Sequence, residues 1–245
     1  MAELKNDFRS VNLDKILFLD IETVSQYSDF DTLTEEEKVL WEKKSQRVTD
    51  QGQTAKDSYP KAAIFAEFGK IICISVGFIK TTLEGKTLRI KSFYGNDERQ
   101  ILKDFNDLAT KHFNTHDHYL CAHNGKEFDF PYIARRSLVL GIPIPSCLDT
   151  RGLKPWEVKH FDTLELWRFG DYKNYTSLEL LTHIFNIPSP KDDISGSQVS
   201  EVYWQQHDIE RIATYCQKDV VAIVQLFLRF KNESLIADEN ILYLQ

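Results

Sequence analysis

Ile16-Leu17-Phe18-Leu19 is a run of branched and aromatic residues, and it ends in Asp20-Ile21-Glu22-Thr23. Its composition predicts a strand buried on both faces, the central strand of an α/β sheet. Two carboxylates interrupt it. Two residues apart on a strand, Asp20 and Glu22 point to the same face, roughly 7 Å from one another. Ionised acids on a central strand are costly unless something positive meets them, and a divalent metal ion is one candidate. A strand that has already run out into a solvent-exposed loop would carry the same two residues. The other stretches of the chain decide between these.

The 42% hydrophobic content of the 245 residues supports a proper core, as one large domain or at most two small ones. The chain starts with a charged MAELKND and has no stretch of ~20 apolar residues, so a soluble, cytoplasmic protein with no membrane partner is expected. Cys73, Cys121, Cys147 and Cys216 form no C-x-x-C pair and suit reduced thiols. A net charge of −7 argues against coating duplex nucleic acid by bulk electrostatics, but not against gripping a few nucleotides at a strand end.

A polar stretch at about 24–66 reads as an insertion, with a capping box at Thr34-Glu35-Glu36-Glu37 opening a helix. Strands are expected at 71–79 and 88–94, joined as a hairpin through Leu83-Glu84-Gly85-Lys86. A helix follows from Asp97 to about His112, then a strand at 118–122 ending in His123-Asn124-Gly125. Phe130-Pro131 opens a helix that Gly141 closes, and a fifth strand is expected at 158–161. Thr176-Ser177-Leu178-Glu179 starts a short helix, and a long one runs from Asp208 to about Phe230. The whole reads as a mixed sheet flanked by helices in a single domain spanning 1–245.

Two further sites carry acids where chemistry could use them. Asn124-Gly125-Lys126-Glu127-Phe128-Asp129 lies where a strand hands over to a helix, a place where ligands gather in α/β sheets. Asp129 could equally cap that helix. In Tyr215-Cys216-Gln217-Lys218-Asp219, the tyrosine and the aspartate are four apart, on one helix face and one turn (~5.4 Å) from each other. They flank the apolar stripe of that helix, where an ordinary surface pair could also stand.

Taken together, FLDIET, HNGKEFD and YCQKD resemble the Exo I, Exo II and Exo III motifs of the DEDD superfamily of 3′–5′ exonucleases. The resemblance spans about residues 15–230. It is nearest to the proofreading domains of family B DNA polymerases and their freestanding relatives. One branch of the superfamily has a histidine five residues before the last acid, where this chain has Thr214. The other has a tyrosine four residues before it, and here that is Tyr215. The resemblance implies an RNase H-like fold with a five-stranded mixed sheet. It implies Asp20, Glu22, Asp129 and Asp219 as metal-binding acids, with Tyr215 positioning the attacking water.

Two Mg²⁺ or Mn²⁺ ions are the implied cofactors, suited to hard oxygen ligands. Ile21, Thr23, Asn124 and Phe128 are the implied substrate contacts, with Lys191 a cation for the scissile phosphate. Phe128 could instead be core packing and Lys191 a solvated lysine. The implied partner is single-stranded nucleic acid, DNA before RNA, since the resemblance is to proofreading domains. RNA trimming, a binding module without catalysis and an endonuclease are the alternatives. The chain ends soon after the last motif, so the expectation is a freestanding enzyme, alone or with a polymerase or repair partner. The cluster His112, His116, Asp117 and His118 reads as an exposed polar turn rather than a zinc site.

Overall fold

The computed structural model describes residues 8–50, 52–188 and 194–244. Six strands form one sheet: β1 (Ile16–Ser25), β2 (Gly69–Thr82), β3 (Gly85–Tyr94), β4 (Tyr119–Ala122), β5 (Phe161–Asp162) and β6 (Ile241–Leu244), in the order β5-β4-β1-β2-β3-β6. β1–β2 and β2–β3 are antiparallel, and the β1–β4, β4–β5 and β3–β6 pairs are parallel. This mixed, helix-flanked sheet is the RNase H-like arrangement that the motifs implied, with one strand more. The five-strand expectation is corrected by β6, four residues that pair beside β3 after the last helix.

The fifth strand is also shorter than expected, and a side chain explains why. The His160 ring accepts the Leu120 amide through Nδ1 at 3.0 Å. It takes a backbone donor of β4 that a longer β5 would use, so pairing begins only at Phe161.

Alternation along β1 divides the core. Leu17, Leu19 and Ile21 pack with helices α2 (Glu98–His112) and α3 (Asp129–Val139) through residues such as Ile101, Phe105 and Ile133. Ile16 and Phe18 face the other way, onto Val220, Ile223, Val224 and Phe227. Those four belong to a long helix of residues Ile209–Phe230, labelled αC below. Gly77, opposite Phe18 in the β1–β2 register, lets αC lie close. A Cβ there would stand 2.8 Å from a Val220 methyl. Asp20 and Glu22 therefore share the face of Ile16 and Phe18 that αC covers. A bulge in the β1–β2 pairing falls between Glu22 and Thr23, where Ile72 has no partner, so the strand is re-aimed just past the acids.

The stretch read as an insertion begins later than expected, because β1 continues through Val24 and Ser25. It holds helix α1 (Glu35–Ser45), whose capping box forms through Thr34 and Glu37. Leu33, Trp41, Tyr59 and Ala62 make a small core of its own. It is seated against the main sheet: the Ala63 carbonyl accepts from Thr23 Oγ1 at 2.9 Å and from the Tyr132 hydroxyl at 2.8 Å.

A buried ion pair fixes α3, the helix that begins at Asp129. Arg136 donates to both oxygens of Glu98, at 2.8 and 2.6 Å, and to the Ala66 carbonyl at 2.9 Å. Glu98 also accepts the Ile71 amide at 2.8 Å, so the pair joins α2, α3, β2 and the end of the insertion. Removing one partner leaves the other charged and buried. Arg136→Ala is expected to cost about 3–5 kcal/mol in chemical denaturation. The paired change Arg136→Met/Glu98→Leu should cost less; an equal or larger loss would mean the charges themselves stabilise the fold.

Candidate active site

Three separated stretches meet above the C-terminal half of β1. Asp20 and Glu22 come from the strand, and Asp129 is the first residue of α3. Tyr215, Cys216 and Asp219 come from the second and third turns of αC. Asp129 does not cap its helix: the N-cap position is Phe128, with no side-chain cap bond. The Asp129 carboxylate is buried, with the backbone amides of Asp129 itself and of Ile21 on β1 close enough to favour its charge. Oxygens of Asp20 and Glu22 and the Cys216 sulfur lie within 4.8 Å of one another. The Cys216 thiol is 3.4 Å from both the Asp20 carbonyl and its Oδ2.

The charges act on one another strongly. Burial holds the Asp20 carboxyl well above its ordinary range, and Asp219, Glu22 and Asp129 push it further. Glu22 is raised by burial and then by Asp219. Burial raises Asp129 to about 8, against the pull of its two backbone donors. The Tyr215 hydroxyl is pushed up by burial and by Asp219, to which it is hydrogen-bonded. No lysine or arginine among the described residues pairs with Asp20, Glu22 or Asp129. Closely set acids without such a cation form a hard-oxygen donor set, and this fits a divalent ion.

The expected substrate contacts fall into different settings. The Ile21 side chain belongs to the core, leaving its backbone to face the site. The Thr23 hydroxyl is taken by Ala63. Asn124 has a positive φ of 62°, and its side-chain amide has no partner among the described residues. Phe128 is half-buried against the core, its ring tilted 54° to that of Tyr132 with 5.3 Å between centres. Lys191 lies outside the described residues. The histidine turn binds itself and Lys15 through Asp117 and gathers no metal-binding group.

Two further residues stand at the site: Asp162, which in sequence follows a strand and could sit near the acids in a supporting place, and Cys216, which carried no mark of its own. Asp162 is buried, and its carboxylate accepts the amides of Asn124 (2.9 Å), Lys126 (3.1 Å) and Leu164 (2.9 Å). It pins the stretch between Asn124 and Asp129 and also caps helix α4 (Thr163–Arg168). Cys216 reads in sequence as part of the αC apolar stripe. Only its place one residue after Tyr215 and three before Asp219 hinted that it reaches the acids.

Fold and site define an α/β protein with an acid cluster at the end of its central strand. Residues 64–239 match the family described as predicted 3′–5′ exonuclease related to the exonuclease domain of PolB. The chain belongs to this family. Asp129, Tyr215 and Asp219 lie inside the matched stretch, while Asp20 and Glu22 precede it and join them in space. Among solved structures, the chain is similar to the family B DNA polymerase from the hyperthermophilic archaeon Pyrobaculum calidifontis, with 16% identity and a TM-score of 0.49 over 87% of this chain. It spans 24% of that polymerase's length. No helix among the described residues is long and apolar enough to cross a membrane.

Proposed function

We propose that residues 8–244, insertion included, act as a metal-dependent 3′–5′ exonuclease that removes nucleoside monophosphates from single-stranded DNA. The observation that carries this is the convergence of Asp20, Glu22, Asp129 and Asp219 with Tyr215. Four acids in the motif order of such enzymes meet at one strand end. Four free, buried cysteines agree with a reducing compartment such as the cytoplasm.

In this proposal Asp20, Glu22, Asp129 and Asp219 hold two Mg²⁺ or Mn²⁺ ions. Bound there, the ions would acidify a water and relieve charge on the phosphate and the departing 3′ oxygen. Tyr215 acts as an orienter and not a base, because its raised hydroxyl keeps its proton at neutral pH. With that proton directed at Asp219, the oxygen's lone pairs can accept from a water and turn it toward phosphorus. Asn124 offers its free amide to the terminal nucleotide, and Phe128 a ring face to its base.

A timed digestion of a 5′-labelled oligonucleotide, with Mn²⁺ or with EDTA, tests this. A ladder shortening from the 3′ end only with metal supports it, and internal cuts or intact substrate would overturn it. An RNA oligonucleotide of the same sequence run alongside reports the sugar preference.

A further inference from the structure

The segment between α4 and helix α5 (Leu178–Ile184) is Phe169-Gly170-Asp171-Tyr172-Lys173-Asn174-Tyr175-Thr176 with Ser177 as cap. Three of its rings stand in solvent: Phe169 is 93% exposed, Tyr172 73% and Tyr175 65%. Large apolar rings are rarely left so bare, and three within seven residues ask for something to cover them. Phe169 also adopts a left-handed backbone (φ 44°), uncommon for a bulky residue, and this turns its ring away from the core.

Both ends of the segment are tied to the acid cluster. Asp162, which caps α4, also holds the amides of Asn124 and Lys126. At the other end, His123 Nε2 donates to the Thr176 carbonyl at 2.9 Å, and its Nδ1 bonds the Thr163 hydroxyl at 2.9 Å. His123 directly precedes Asn124, and its ring meets Tyr175 at 6.3 Å. The hydroxyl of Tyr175 feels the charges of Asp129, Asp162 and Asp20. Tyr175 thus stands at the rim of the site, with Phe169 and Tyr172 preceding it in the same loop.

Cations are set among them. The Arg168 guanidinium, largely buried and 3.8 Å from a Glu127 oxygen, lies 5.6 Å from the centre of the Tyr172 ring and backs it, while Lys173 is exposed with no ion-pair partner among the described residues. The one acid of the segment, Asp171, is turned inward on the Lys173 amide (3.0 Å) and the Asn174 side chain (3.4 Å). Exposed rings with a free lysine among them, beside the proposed phosphodiester-cutting site, match the bases and phosphates of a single strand.

We propose that Phe169, Tyr172 and Tyr175, with Lys173 among them and Arg168 backing the Tyr172 ring, form a stacking platform that holds the single strand leading away from the acid cluster. The platform recognises ring faces and phosphate charge, so it is tolerant of sequence. Its placement on the substrate path rests on the exonuclease function proposed above.

The test measures binding of a fluorescein-labelled oligothymidylate by anisotropy in EDTA, where nothing is cut, and then KM with Mn²⁺. Phe169→Ala/Tyr172→Ala is expected to weaken binding and raise KM by at least on the order of tenfold, since each stacked base carries that scale of affinity. The melting temperature should stay unchanged, and Phe169→Trp/Tyr172→Trp should retain tight binding. Wild-type affinity in the alanine pair, or no binding by the wild-type chain, would overturn the platform. A wild-type chain that binds the oligonucleotide but cuts nothing would overturn the exonuclease function alone, because the anisotropy comparison still decides the platform.

Discussion

Asp20→Asn is expected to lower the single-turnover cleavage rate of a labelled oligonucleotide by on the order of 10³-fold while leaving the protein folded. The substitution keeps shape and volume but removes the charge at the centre of the cluster. Asp20 interacts with every other acid there: Asp219, Glu22 and Asp129 all act on it. An amide in its place offers one weak oxygen and an N–H₂ group that would repel a cation. Tyr215→Phe should be milder, roughly a hundredfold, because it keeps the ring packing and removes only the group proposed to aim the water.

Circular dichroism and melting curves separate these losses from misfolding. The Asp20→Asn protein should melt no lower than wild type in EDTA, since one buried like-charge repulsion has gone. Full activity in Asp20→Asn would remove the cluster from the chemistry altogether.

How much of this arrangement the sequence disclosed varied with how local the cause was. The buried β1, the Thr34 capping box, the β2–β3 hairpin and the αC stripe all follow from neighbours a few residues apart, and each is where spacing put it. The acids were legible because three short patterns occur in a fixed order, although each alone had an ordinary explanation. The short β5 was not, since it depends on the His160 ring taking an amide forty residues away. Asp162 was legible as an acid after a strand that could sit near the site, but its three amide partners come from two elements that meet only in the fold. Cys216 was hidden by being apolar enough for the core stripe it borders. Strand β6 is too brief and too exposed to show an alternating pattern.

Without metal, the protein is expected to lose stability as pH rises from about 6.5 to about 8, and divalent metal should reverse that trend. In the folded chain the Asp129 carboxyl is held up to about 8, whereas an unfolded aspartate loses its proton near 3.9. Between those values the folded state keeps a proton that the unfolded state has released, so stability falls with rising pH. Asp20 and Glu22, raised by burial and mutual repulsion, act in the same direction. Below about 6.5 the trend is masked. Burial lowers His123 and brings His160 down to about 4, so these neutral rings add stability as pH climbs toward the ordinary histidine value. Above that value the histidines no longer contribute a slope and the acids act alone. One proton of difference gives about 1.4 kcal/mol per pH unit, or about 2 kcal/mol across the window. For a chain of this size that is a fall of roughly 4–8 °C in melting temperature. Mg²⁺ or Mn²⁺ binds the deprotonated acids, so its stabilisation grows with pH and opposes the fall. Asp129→Asn should flatten the metal-free curve, raise stability at pH 8 and weaken the response to Mn²⁺. A metal-free melting temperature that is level or rising between pH 6.5 and 8 would show that the acids are not held protonated in the folded chain, and with that the case for a cation among them would fall.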